Sequence, residues 1–183
     1  RQRQMCIRDS YSPLQEWLLT RADVIIGTTP PYLAESPCLA RVRHKMECLP
    51  IGIEPVCPAP AAVEEVRKRY PGKKIIFSIG RLVAYKGYKY LIESAHYLDD
   101  DYVILIGGSG AMKYDLEAEI ETWGVQDKVM LLGRISDKEL SAYYGACTLF
   151  CLSSVQKTEA FGIVQIEAMS CGTVSYTHLT LPT

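Results

Sequence analysis

Residues 158–172 read T-E-A-F-G-I-V-Q-I-E-A-M-S-C-G, and this stretch decides the fold. Its apolar positions Ile163, Val164, Ile166, Ala168 and Met169 are too many for a surface helix, and Gly172 stands just past them. The pattern predicts a largely buried helix over about 162–170. Such a helix aims unpaired backbone N–H groups and the positive end of its dipole at whatever precedes it, here the loop 153–160. Hydroxyls and phosphates suit that place. Glu159 stands before the helix and Glu167 within it, so one carboxylate can accept from sugar hydroxyls and the other can hold a second pair of hydroxyls. On spacing alone, each is equally an ordinary solvated or capping residue.

Outward from this stretch, short β-branched apolar runs alternate with helical patterns. The spacing predicts helix at 12–20, strand 23–27, helix 32–43 and strand 46–50. It then predicts helix 61–70, strand 74–79, helix 87–97, strand 102–107, helix 111–123, strand 128–132, helix 137–145 and strand 147–152. Repeated strand–helix–strand units give an α/β fold, a Rossmann-like parallel sheet with helices on both faces. Ligands of such sheets gather where strands run out into helices.

Three of those loops carry candidates. After K-I-I-F-S-I-G, Arg81 and Lys86 place two cations on one strand-to-helix loop, a pattern suited to a diphosphate; a solvated basic turn is the plainer alternative. Gly107, Gly108, Ser109 and Gly110 let backbone approach a phosphate or ribose, but no third glycine stands at Lys113, so a dinucleotide fingerprint fails. The turn after strand 128–132 carries Arg134 and Ile135, and Ser136 with Glu139 forms a capping-box pattern for the next helix. Asp99, Asp100 and Asp101 precede a strand and read as a polar turn, and His44, His96 and His178 lack metal-ligand spacing, so no metal site is expected.

The chain has 183 residues, net charge −1, 48% hydrophobic and 22% charged residues, enough for one packed domain and too little for two complete ones. The charge balance excludes a nucleic-acid footprint, and no apolar run is long enough for a spanning helix. Seven cysteines with no C-x-x-C pair fit a reducing cytoplasm. Pro55, Pro58 and Pro60 make 52–62 the linker. Residues 1–10 and 175–183 resemble translated sequencing-adapter sequence and are read as non-native tails.

The run E-A-F-G-I-V-Q-I-E-A-M-S-C-G resembles the E-x-F-G-x-x-x-x-E signature of retaining GT-B glycosyltransferases that use nucleotide sugars. It follows G-R-L-V-A-Y-K-G and I-G-G-S-G in that family's order, although Ile51 stands where the family commonly has asparagine in P-N-G. The resemblance implies residues 11–45 as the end of the acceptor-side domain and 46–174 as an incomplete donor-binding domain. It further implies Arg81, Lys86 and Glu159 as catalytic residues, and donor binding by Gly80, Gly108, Arg134, Ile135, Phe161, Gly162, Ile163 and Glu167. In that scheme the cations stabilise the departing diphosphate, Glu159 and the N–H groups near Phe161 to Ile163 hold the sugar, and Glu167 holds the ribose. Arg134 and Ile135 border the base.

The partner is then a nucleotide-sugar donor, with no cofactor and no metal. The acceptor is a glycan, lipid or small molecule, and peripheral membrane contact lies with the missing domain. Two alternatives stay open: a nucleotide-sugar epimerase of the same fold, and a nucleotide-binding fragment without activity.

Overall fold

The computed structural model describes residues 2–156, 159 and 162–177, with the backbone alone for 2–10. The chain divides into two compact units between Gly52 and Ile53. No helix among the described residues is long and apolar enough to cross a membrane.

The first unit holds α1 (Gln2–Arg21), β1 (Ile25–Gly27), α2 (Pro30–Glu35) and β2 (Met46–Cys48). Residues 2–10, read from sequence as a tail, continue α1, since glutamine, arginine and methionine favour helix and no glycine interrupts them. The single helix expected over 32–43 is broken. Thr29 caps α2 by accepting from the Tyr32 N–H, but the helix ends at Glu35 because Ser36 precedes Pro37 and takes φ −72°, ψ 114°. Single 3-10 turns at Pro37–Leu39 and Arg43–Lys45 follow. Strand β2, expected to open the second unit, instead pairs parallel with β1, Ile25 opposite Met46. The boundary therefore lies a few residues past 45.

The second unit contains α3 (Pro60–Arg69), β3 (Lys74–Ile79), α4 (Tyr88–Ser94), β4 (Tyr102–Gly107), α5 (Lys113–Trp123), β5 (Val129–Gly133), α6 (Asp137–Ala146), β6 (Leu149–Leu152), α7 (Ile163–Ser170) and β7 (Val174–Thr177). Its proline-rich entry has no regular structure until Pro60 opens α3 in the first turn, where a missing N–H costs nothing. The Val56 N–H donates to Ser170 Oγ at 3.0 Å, which holds this segment on the end of α7.

All five strands are parallel in the order β5-β4-β3-β6-β7. Residues 175–177, set aside with the second tail, complete β7 by pairing with β6. Alternation along the strands divides the core. Ile75, Phe77, Val103, Leu105, Phe150 and Leu152 face α3, α6 and α7 through Val66, Tyr144 and Ala168. Ile76, Ile104, Ile106 and Cys151 face α4 and α5 through Ile92, Leu116 and Ile120. A sheet buried on both faces explains the near-continuous apolar strand sequences. The order places a switch point between β3 and β6, where the chain turns from building one side of the sheet to building the other, and ligands of doubly wound sheets sit in that crevice.

Candidate functional site

The loops leaving β3 and β6 meet at this switch point. After β3 the chain passes Gly80 and Arg81, makes one 3-10 turn at Ala84–Lys86 and enters α4 through Gly87 at φ +68°. The Val155 N–H from the β6 loop donates to the Tyr85 carbonyl at 2.9 Å, and Ser153 Oγ donates to the Lys86 carbonyl at 2.8 Å. These bonds bring Glu159 onto Lys86. The ammonium Nζ lies 2.5 Å from Glu159 Oε2, with side-chain exposures of 11% and 15%, and buried Ser154 donates to the same oxygen at 2.7 Å.

Close packing of the two loops needs glycine at Gly87. A Cβ there would fall 2.1 Å from the Ser153 carbonyl oxygen, in a backbone region that side chains disfavour. Gly87→Ala is expected to destabilise the unit by about 2–4 kcal/mol, read from the urea midpoint, and a change below about 0.5 kcal/mol would contradict this geometry.

The two cations of the β3 loop differ sharply. Lys86 is buried and paired, whereas Arg81 is exposed and has no ion pair among the described residues. Beside them Tyr88 is buried with its hydroxyl near Ser78, and burial followed by the charge of Glu159 pushes that phenol up. The β4 loop approaches at Gly108, φ +128°, where a Cβ would lie 1.9 Å from the Gly80 carbonyl oxygen. A further bond from the Leu82 N–H to the Ser109 carbonyl at 3.0 Å ties the loops. Arg134 is exposed and donates through Nε to Ser109 Oγ at 3.2 Å, while Ile135 covers Gly107. The expected capping box of Ser136 and Glu139 is present.

Arg134 and Ile135 follow β5, two strands from β3 and three from β6, about 10–14 Å from those strands at ordinary strand spacing. An extended ligand running across the strand ends spans such a distance. Gly162 caps α7 at φ +67°, and the N–H groups of Ile163 and Val164 have no intrahelical partner by helix geometry. Phe161 lies outside the described residues. Glu167, on α7, accepts a 2.8 Å hydrogen bond from the Tyr144 hydroxyl.

Two neighbours of these candidate residues were not singled out from sequence. Ser154 was read only as part of the loop before the α7 stretch, and Tyr144 sits in the core, with 1% exposure. Its hydroxyl reaches a carboxylate 23 residues away, and no local spacing marks that pair.

Fold and site together define a doubly wound α/β unit with a cationic, carboxylate-bearing switch point. The chain belongs to the Glycosyl transferases group 1 family, which it matches over residues 62–177. It is 27% identical over 173 residues to the D-rhamnosyltransferase WbpZ of Pseudomonas aeruginosa, covering 93% of this chain and 44% of that protein. Mannosylfructose-phosphate synthase of Agrobacterium fabrum is 31% identical over 170 residues, 82% of this chain and 36% of the relative. Among solved structures, Anabaena HepE in complex with UDP-glucose superposes with TM-score 0.80 at 18% identity, over 92% of this chain and 48% of HepE. The chain thus spans less than half the length of these relatives. The fold is that of one half of a GT-B glycosyltransferase.

Proposed function

We propose that residues 53–177 bind the donor of a glycosyltransferase that moves a sugar from a nucleoside diphosphate to an acceptor with retention of configuration and without a metal. The observation that carries this is the Lys86–Glu159 pair, held by the β3 and β6 loops at the switch point of the sheet. Both loops lie inside the family match, and a protein of the same fold was solved with UDP-glucose.

Arg81 and Lys86 face the diphosphate. As the C1–O bond of the donor breaks, charge develops on the leaving phosphate, and two fixed cations stabilise it in the way a divalent ion does elsewhere. Arg81, free of an ion pair among the described residues, can fork onto two phosphate oxygens; Lys86 offers its remaining N–H donors. Glu159 and the N–H groups opening α7 hold the transferred sugar, and Glu167 accepts from the ribose. Gly80 and Gly108 permit close approach of backbone to the ligand, and Arg134 with Ile135 borders the base.

Among the described residues no three histidine, cysteine, aspartate or glutamate side chains are gathered as metal ligands. Sugar transfer by the full-length enzyme is expected to persist in excess EDTA. Complete loss on chelation, restored by Mg²⁺ or Mn²⁺, would overturn the metal-free mechanism. Conversion of the donor into its epimer, with no transfer to an acceptor, would replace the transferase with an isomerase.

A further inference from the structure

Tyr144 has a rigid seat. Its ring is 1% exposed and meets Phe77 and Phe150 edge-on, with centroids at 5.8 and 5.5 Å. Its carbonyl accepts from Thr173 Oγ1 and from Cys147 Sγ, so backbone and ring are both fixed. Phenols in such cores need a partner for the hydroxyl, and this one finds it in the half-buried carboxylate of Glu167 at 2.8 Å.

We propose that Tyr144 is a positioning residue for nucleoside recognition: by donating to Glu167 Oε2 it holds that carboxylate in one rotamer, with Oε1 available to the ribose 2′- and 3′-hydroxyls. The proposal rests on the assignment of Glu167 to the ribose. Glutamate has three rotatable side-chain bonds, and a carboxylate already fixed by a rigid donor loses less freedom when it grips a ligand. A neutral donor also leaves the negative charge on Glu167 undiminished for accepting hydroxyl hydrogens. Glu159 contrasts with it, since Lys86 and Ser154 both bond to its Oε2. Burial and the bond to Glu167 both push the Tyr144 phenol up, so it remains a donor across the working pH range.

The test measures calorimetric affinities of this chain for UDP or GDP, whichever binds more tightly, and for its 2′,3′-dideoxy analogue. The protein, Tyr144→Phe and Glu167→Gln are compared. The ratio of the two affinities is taken within one preparation, so a loss of folded fraction cancels. The unsubstituted protein is expected to prefer the ribonucleotide by about tenfold or more, and Glu167→Gln to abolish that preference. Tyr144→Phe is expected to reduce the preference by about three- to tenfold while leaving affinity for the dideoxy analogue within about twofold. An equal loss for both ligands, or an unchanged preference in Tyr144→Phe beside a lost one in Glu167→Gln, overturns the positioning role alone. An unchanged preference in Glu167→Gln, or no binding of either nucleotide, overturns the ribose assignment and this proposal with it.

Discussion

Replacing Lys86 by alanine in the full-length enzyme is expected to lower turnover by about thirty- to a thousandfold, the effect of about 2–4 kcal/mol of lost transition-state stabilisation. The same change is expected to destabilise the donor unit. Glu159 is only 15% exposed in its side chain and would lose the ammonium at 2.5 Å, with Ser154 the remaining side-chain partner among the described residues. Stranding one member of a fully buried pair costs about 3–5 kcal/mol; the residual exposure of this pair reduces that to about 1–3 kcal/mol. Arg81→Ala separates the two effects. Arg81 is exposed and has no ion pair among the described residues, so turnover should fall comparably while the melting temperature stays put. Activity within about threefold of the parent in either variant would remove these cations from the mechanism.

Glu159→Gln is expected to divide sugar from nucleotide. Turnover of the nucleotide sugar should drop about tenfold or more, because a charged hydrogen bond to a hydroxyl contributes about 1.5–3 kcal/mol. Free UDP or GDP should bind as well as before or a few-fold more tightly, since the change releases Lys86 from its carboxylate partner. Equal weakening of free nucleotide and nucleotide sugar would make Glu159 a structural residue.

What the sequence revealed and what it hid follow from the range of the interactions concerned. Strand–helix alternation over residues 60–152 is local information, written in apolar runs such as 102–107 and in the Ser136–Glu139 box, and the elements appear where their periodicity puts them. The helix expected over 32–43 shows a local rule underweighted, because Pro37 biases Ser36 against helix whatever the apolar spacing says. Strand β2 was assigned to the wrong unit because a three-residue strand carries no mark of its partner, and only pairing with β1 decides it. Residues 175–177 were set aside for their resemblance to adapter sequence, yet V-S-Y-T is an acceptable edge strand beside β6.

The site divides in the same way. Arg81, Lys86 and Glu159 could be nominated from loop positions, and the structure brings Lys86 and Glu159 together across 73 residues of sequence. Their unequal burial could not be read. Whether a lysine in a glycine-bounded turn is solvated or enclosed depends on Ser153 and Val155 closing over it from the β6 loop. Tyr144 lies in the core, and its hydroxyl acquires meaning only through the packing of α6 against α7.

The central claim, that the switch-point loops hold a nucleoside diphosphate, is tested most directly by calorimetric titration of the chain with UDP and GDP beside uridine and guanosine. At least one diphosphate is predicted to bind about tenfold or more tightly than its nucleoside, an advantage that Arg81→Ala removes. Equal binding of nucleoside and diphosphate, or an advantage untouched by Arg81→Ala, would contradict it.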